Sequence, residues 1–142
     1  MTALINKATI KDRFLEMRAE LYLESGDLEN SLTDINETIT GKKDFHESSK
    51  YKIRSKVYGL LGDVEKSVED HKLAYTLDLE KCDEWISKYP NETWPFAARA
   101  KARTQLGDKA NANLDWLKAI ELELDPDTKD EYLKQMQSEI SP

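Results

Sequence analysis

Apolar, small and charged residues recur at fixed distances from three Gly-Asp pairs in this chain, at Gly26, Gly62 and Gly107. A bulky residue stands eleven positions before each glycine, and small residues stand seven before, five after and twelve after it. Glycine and proline are scarce, with five and four copies in total in the 142 residues. The pattern predicts pairs of helices, because glycine ends a helix at little cost and the Asp that follows can cap the next helix.

The aligned columns each have a packing explanation. Two helices joined by a short turn must lie close together, so small residues are expected where they cross and bulky ones between the crossings. An Arg eight positions before each glycine and an Asp eight after it predict one partly buried ion pair per copy, which specifies alignment more than it stabilises. The columns are Leu15, Tyr51 and Phe96 (bulky); Ala19, Ser55 and Ala100, then Ser31, Ser67 and Ala112, then Thr38, Ala74 and Ala119 (small); and Arg18, Arg54 and Arg99 with Asp34, Asp70 and Asp115.

These columns resemble the tetratricopeptide repeat family over about residues 10–125. The segment from Ala100 through Gly107-Asp108 to Leu122 is the most similar to the family pattern. The resemblance implies an all-α fold, a right-handed α-α superhelix (solenoid) of three stacked helix pairs with a capping helix at the C-terminus. The chain departs from the family in spacing, since its glycines are 36 and 45 residues apart whereas the family repeats about every 34 residues.

We predict a single domain over residues 1–142, with a C-terminal capping helix over 126–140. Asp125 can cap that helix, Pro126 suits its first turn, and its apolar stripe would cover the open face of the last repeat. An insertion, which has no helix breaker before Pro90, is expected to continue the preceding helix or to form a short added one. The repeats fall at about 10–43, 46–80 and 93–125, and the insertion at 79–92.

The caps predict where individual helices begin and end. The first helix is expected to begin at Ile10 with Thr9 as its N-cap, and the second to close at Gly41. The fifth is expected to be capped by Thr93, with Pro95 in its first turn.

Composition narrows the function classes. The formal net charge is −7, with 21 Lys and Arg against 28 Asp and Glu, which argues against a nucleic-acid partner because phosphate binding needs clustered cations. No apolar run approaches the roughly 18 residues of a membrane span, and the N-terminus shows no secretory signal pattern. The single cysteine, Cys82, cannot form an internal disulfide. We therefore expect a cytoplasmic protein with no membrane partner.

Catalytic and metal chemistry have no visible motif. The two histidines, His46 and His71, have no zinc-ligand spacing with Cys82. His71 shares a column with Ile35 and Trp116, so it is expected to be a core or half-buried residue. No Ser, Cys or His stands in a nucleophile motif, and there is no Gly-rich phosphate loop. We expect neither an enzyme nor a bound cofactor or metal.

The resemblance also implies a concave groove lined by the first helix of each pair. We expect a peptide to contact Trp94 and Leu60 and to place an acidic segment over the groove lysines, which are Lys52, Lys56 and Lys101. The alternative is that these lysines are ordinary solvated charges. The family's clamp for chaperone C-terminal carboxylates is not matched, because the corresponding positions hold Glu16, Glu20, Ile53, Trp94 and Ala98. The candidate groove residues are Arg13, Glu16, Glu20, Lys52, Lys56, Leu60, Trp94, Lys101 and Gln105, and the further positions expected to face the groove are Leu23, Glu24, Ser49, Gly59, Ala97 and Thr104.

The leading functional hypothesis is a protein–protein interaction scaffold or adaptor that binds a partner peptide or protein in this groove. A structural or self-associating role, including a homodimer, is the alternative from another class, and a fragment of a larger repeat protein is a third. Trp85 and Trp94, in or beside the insertion, either pack the insertion onto the repeats or form an exposed aromatic platform for a partner.

Overall fold

The computed structural model describes residues 2–39 and 47–140, with side chains from Lys7 onward in the first range. These residues form seven helices and no strand, which confirms the all-α prediction. The helices are α1 (Thr2–Ser25), α2 (Leu28–Thr38), α3 (Ser48–Leu61), α4 (Val64–Lys88), α5 (Trp94–Gln105), α6 (Lys109–Leu122) and α7 (Pro126–Ile140).

The chain divides into two compact units, Met1–Ala74 and Tyr75–Pro142, and the boundary falls inside α4. The first unit holds α1, α2, α3 and the N-terminal part of α4. The second holds the remainder of α4 together with α5, α6 and α7. The single domain predicted over residues 1–142 stays a prediction.

The three Gly-Asp turns have the same geometry. Gly26, Gly62 and Gly107 adopt φ values of +84°, +83° and +81°, in the left-handed region that favours glycine. In each turn the backbone N–H of the following Asp donates to a carbonyl of the preceding helix at 2.9 Å. The Asp side chain then accepts from a backbone N–H in the first turn of the next helix, at 3.2 to 3.3 Å. The predicted helix ends and caps at these turns are confirmed.

The core of the first unit forms where its helices cross closely. Ala19, Ile35 and Ile53 make a buried cluster from α1, α2 and α3. The Ser31 hydroxyl donates to the Ala19 carbonyl at 2.7 Å, across the crossing of α1 and α2. The small-residue columns therefore mark close helix crossings, and a polar member satisfies its hydroxyl on the facing backbone.

The α3–α4 crossing repeats this arrangement with two serines. The Ser55 hydroxyl donates to the Ser67 carbonyl at 2.7 Å, and the Ser67 hydroxyl donates to the Ser55 carbonyl at 2.8 Å. The exchange leaves both hydroxyls hydrogen-bonded although the helices approach closely.

The core of the second unit is built around a fully buried tryptophan. Trp116 packs with Phe96, Ala97, Ala100 and Ala119 from α5 and α6. Helix α7 then covers this cluster through Tyr132 and Met136, and the rings of Trp116 and Tyr132 lie 5.8 Å apart. A helix at the predicted place therefore packs its apolar side on α6.

One helix boundary differs from the sequence prediction, and another cannot be compared with it. The first helix begins at Thr2, so Thr9 lies inside it and the predicted N-cap at Thr9 is wrong. No glycine or proline interrupts residues 2–9, and a helix continues through such a segment unless something ends it. Helix α2 ends at Thr38, and the predicted closure at Gly41 lies outside the described residues.

The other boundaries follow the prediction. Helix α4 continues to Lys88, so the insertion extends the preceding helix up to that residue. Helix α5 follows Thr93 and has Pro95 in its first turn, but the Thr93 side chain makes no cap hydrogen bond, so the predicted cap is wrong. The Thr93 hydroxyl instead donates to the Glu123 carboxylate at 3.1 Å. The Asp125 carboxylate accepts from the backbone N–H and the hydroxyl of Thr128 at 2.9 and 2.6 Å, and so caps α7.

Candidate functional site

The predicted groove residues divide between the two units. On α1, Arg13 and Glu20 are exposed and Glu16 is half-buried. On α3, Lys56 and Leu60 are exposed and Lys52 is half-buried. On α5, in the second unit, Trp94, Lys101 and Gln105 are all exposed.

A cleft of about 440 Å³ opens in the first unit between the C-terminal halves of α1 and α3. Its lining residues are Leu23, Lys56, Gly59 and Leu60. All four stand at positions predicted to face the groove, and the Leu60 side chain is 66% exposed. Since three of the four lining residues are apolar or lack a side chain, the cleft suits an apolar group, with the Lys56 ammonium available to an anion beside it.

Gly59, which lines this cleft, also lies close to α4. A Cβ at this position would meet the Ser67 hydroxyl oxygen at 3.3 Å, closer than an ordinary van der Waals contact. The absence of a side chain at Gly59 therefore allows α4 to approach α3 closely.

A polar contact joins α1 and α3 farther along the same two helices. The Ser49 hydroxyl donates to the Glu16 carboxylate in a short hydrogen bond. Glu16 thus has a structural partner, while Arg13 and Glu20 lie exposed on α1.

In the second unit, Trp94 lies in an aromatic cluster with Trp85 and Tyr89. The Trp85 and Trp94 ring centroids are 5.0 Å apart at an interplanar angle of 65°, and those of Tyr89 and Trp94 are 6.1 Å apart. The cluster therefore holds the C-terminal end of α4 against the start of α5, as the packing interpretation predicts. Trp94 is still 42% exposed and Tyr89 48%, and the aromatic platform stays a prediction.

Charged residues lie beside this aromatic cluster. The Lys81 ammonium lies 5.5 Å from the Trp85 ring centroid. Glu84 accepts from Lys88 at 2.9 Å and from Lys81 at 3.4 Å, and these hydrogen bonds lower the pKa of Glu84 and raise that of Lys88. Two lysines thus share the Glu84 carboxylate at the border of the aromatic cluster.

The three Arg/Asp columns form the predicted ion pairs. Arg54 donates to Asp70 through two nitrogens at 2.7 and 2.9 Å, and these hydrogen bonds raise the pKa of Arg54. Arg99 meets Asp115 at 2.8 to 3.1 Å and also Asp83 at 2.9 Å. Arg18 meets Asp34 at 2.6 and 2.8 Å in the same way. These residues join the two helices of each pair, as the structural interpretation of the columns predicts.

The third helix pair reinforces its ion pair differently from the first two. The column four positions before each glycine holds Tyr22 and Tyr58, whose ring centroids lie 5.9 and 5.7 Å from the guanidinium carbons of Arg18 and Arg54. In the third copy the column holds Arg103, which donates to Asp115 at 2.7 Å. A second cation thus replaces the aromatic ring beside the paired carboxylate.

The described cysteine and histidine, which are the candidate reactive and metal-binding residues, are buried or half-buried. Cys82 is 2% exposed, and burial raises the pKa of its thiol to about 11. His71 is half-buried, as predicted, and His46 lies outside the described residues. Across residues 2–39 and 47–140, no group of three His, Cys, Asp or Glu side chains could hold a metal ion. None of the helices described in those ranges combines the length and apolar character that a membrane crossing needs.

In comparisons with known proteins, no family model matches the chain and no curated protein matches it. The candidate site therefore rests on geometry alone.

Sequence reasoning missed two features of the candidate site. Tyr89 could have been assigned to the aromatic cluster, since it stands one helical turn after Trp85 and directly before Pro90. Ser49 and Glu16 both stand at positions predicted to face the groove, but their hydrogen bond could not be predicted because it depends on how α1 and α3 pack.

Proposed function

We propose that the chain is a tetratricopeptide-type helical repeat that acts as a protein–protein interaction module. The local structure of the three helix pairs supports this, since each has a left-handed glycine at its turn and an Arg–Asp pair between its helices. Repeat proteins built from stacked helix pairs have extended concave surfaces that bind partners. The right-handed stacking of the three pairs into a solenoid is part of the proposal.

The observation that carries the functional proposal is the cleft lined by Leu23, Lys56, Gly59 and Leu60. It is open, apolar and bordered by one cation. A peptide that places an apolar side chain in the cleft and a carboxylate near Lys56 would satisfy both features. The proposed ligand is therefore an extended or helical peptide with an apolar residue next to an acidic one.

Peptides selected from a random displayed library and titrated by fluorescence anisotropy would test the proposal. Selected sequences should be enriched in acidic residues next to large apolar ones. Leu60→Asp should weaken their binding about tenfold or more, because it puts a charge beside the apolar side chain. Lys56→Glu should weaken acidic peptides selectively. A pull-down from the native host followed by mass spectrometry would then name the natural partner.

Matched variants outside the cleft supply the controls. Val64→Asp changes an equally exposed apolar residue of the same unit, which is 67% exposed, and Lys72→Glu reverses an exposed charge on α4. Both should bind the selected peptides like the wild type. The proposal is wrong if Leu60→Asp and Val64→Asp bind the peptides equally well while both retain the wild-type circular dichroism spectrum.

A further inference from the structure

The side of α1 that points away from its own core carries a row of large apolar side chains, each between 57% and 67% exposed. The row consists of Ile10, Phe14, Met17 and Leu21. The buried residues of the same helix, Leu15 and Ala19, are 5% and 0% exposed. At about 100° per residue the two sets lie on opposite sides of the helix. Helix α1 therefore has a second apolar face, the outer stripe, besides the one that builds the core.

The outer stripe has the spacing of a coiled-coil seam. Its members are separated by four, three and four residues, which is the alternation that keeps one face of a helix against a partner helix. Single exposed apolar residues are ordinary, whereas a contiguous row of four marks an interaction surface. The next two positions of the same alternation are charged: Lys7 precedes the stripe and Glu24 follows it.

We propose that this protein forms a homodimer in which the outer stripe of α1 packs antiparallel against the outer stripe of a second copy. The two-fold axis passes between Phe14 and Met17. Phe14 then faces Met17 of the second copy, and Ile10 faces Leu21 of the second copy. The interface is isologous, so each copy contributes the same patch.

The charges around the stripe favour a second copy in this antiparallel orientation. The same register places Lys7 opposite Glu24 of the second copy at both ends of the seam. On one flank, Arg13 lies within reach of Glu20 of the second copy, because antiparallel seams pair the same flank of both helices. A parallel pairing would instead set Lys7 against Lys7 and Glu24 against Glu24, which is unfavourable.

The opposite flank carries cations that are already neutralised within their own chain. Lys11 pairs with Glu37 at 2.6 Å, and Arg18 pairs with Asp34 at 2.6 Å. When the same flank of a second copy approaches, no unpaired positive charges are therefore brought together. Both flanks are compatible with the antiparallel dimer, and the flank of Arg13 and Glu20 specifically favours it.

The size of the stripe sets the expected affinity. Four apolar residues and their charged neighbours cover less than the roughly 800 Å² per partner of a standard stable interface. The dimer should accordingly dissociate in the micromolar range and appear on concentration of the full chain. The four stripe residues do not line the cleft of Leu23, Lys56, Gly59 and Leu60, so dimerisation and peptide binding can be tested independently.

Sedimentation velocity of the full chain from about 1 µM to about 300 µM would test the dimer. The wild type should shift from monomer to dimer across this range, and Phe14→Glu with Met17→Glu should weaken the dimer more than tenfold. Leu114→Glu with Leu117→Glu, two exposed apolar residues of α6 that are 62% and 52% exposed, is the matched control and should dimerise like the wild type. A wild type that stays monomeric throughout, or a dimer that Phe14→Glu with Met17→Glu leaves intact, would overturn the proposal.

Reversal of the flank charges tests the antiparallel register itself. Arg13→Glu and Glu20→Arg should each weaken the homodimer several-fold, because each sets like charges together across the axis. An equimolar mixture of these two variants should form a heterodimer, since both flank contacts are then complementary, and the double variant should regain the homodimer. All three have exposed substitutions and should keep the wild-type circular dichroism spectrum. Absence of both the heterodimer and the restored homodimer would contradict the register.

Discussion

The indole N–H of Trp116 donates to a carboxylate oxygen of Glu139 at 2.6 Å. Trp116 is fully buried on α6, and Glu139 lies near the end of α7 and also accepts from the Thr104 hydroxyl at 2.7 Å. One acidic side chain therefore satisfies the polar atom of the largest core residue and ties α7 to both helices of the last pair. This polar contact holds α7 on the last helix pair together with the apolar side of the helix.

Removal of that acceptor should destabilise the protein. Glu139→Ala leaves the buried indole N–H without a partner and should lower the free energy of unfolding by about 1–3 kcal/mol. Glu139→Gln keeps an oxygen acceptor and should cost less. Urea unfolding followed by circular dichroism measures both, and Glu131→Ala, an exposed acidic residue of the same helix, should change little. Equal losses in Glu139→Ala and Glu131→Ala would show that the anchor contributes nothing.

Loss of an Arg from an ion-pair column should also be costly. Asp70 is 5% exposed, so Arg54→Leu leaves a buried carboxylate without its two charge-assisted hydrogen bonds. The Arg54 side chain is itself 20% exposed, which moderates the effect to roughly 2 kcal/mol. The double change of Arg54 and Asp70 to Leu should recover much of the loss, because two apolar residues need no partner. Unchanged stability in Arg54→Leu, with loss of peptide binding, would make Arg54 a binding residue.

The features of the fold that sequence analysis predicted are local or fixed in spacing. The turn at Gly62-Asp63 depends only on residues within a few positions of it, and glycine and Asp have distinct backbone preferences there. The pairing of Arg54 with Asp70 follows from the symmetry of two helices about that turn, which places both residues at the same level. Repetition in three copies distinguished these patterns from chance.

Some features that sequence analysis missed depend on packing between distant segments. Others depend on how far a helix extends where no residue in the sequence ends it. Glu139 could not be matched to Trp116 before the position of α7 on α6 was known. The sequence predicts a start of α1 at Ile10 because Thr9 is a good cap, although residues 2–9 contain nothing that prevents a helix. The outer stripe was missed because α1 has apolar residues on two opposite sides, so Phe14 and Leu15 obscure each other's periodicity.

Replacement of the turn glycine should isolate the cost of the left-handed backbone. A Cβ on Gly62 would have nothing within 4 Å, so Gly62→Ala introduces no clash. Its φ of +83° is unfavourable for alanine, and the free energy of unfolding should fall by about 1 kcal/mol. Gly62→Asn should cost less, since Asn tolerates this region better than alanine does. Thermal unfolding of the two variants checks this order, and a stability equal to wild type in Gly62→Ala would contradict it.

The buried thiol of Cys82 predicts a loss of stability at alkaline pH. Burial raises its pKa from 9.0 to about 11, so the folded state keeps the proton over a range in which the unfolded chain releases it. The contribution of the Cys82 thiol to the free energy of unfolding is fully present below pH 9 and is lost as the pH rises towards 11. The total loss is limited to roughly 2–3 kcal/mol. Cys82→Ala should be less stable at neutral pH, because a small cavity replaces the sulfur, but its stability should fall less between pH 9 and 11. Urea unfolding at matched pH values gives the comparison, and parallel pH profiles in the two proteins would show that the thiol keeps its ordinary titration.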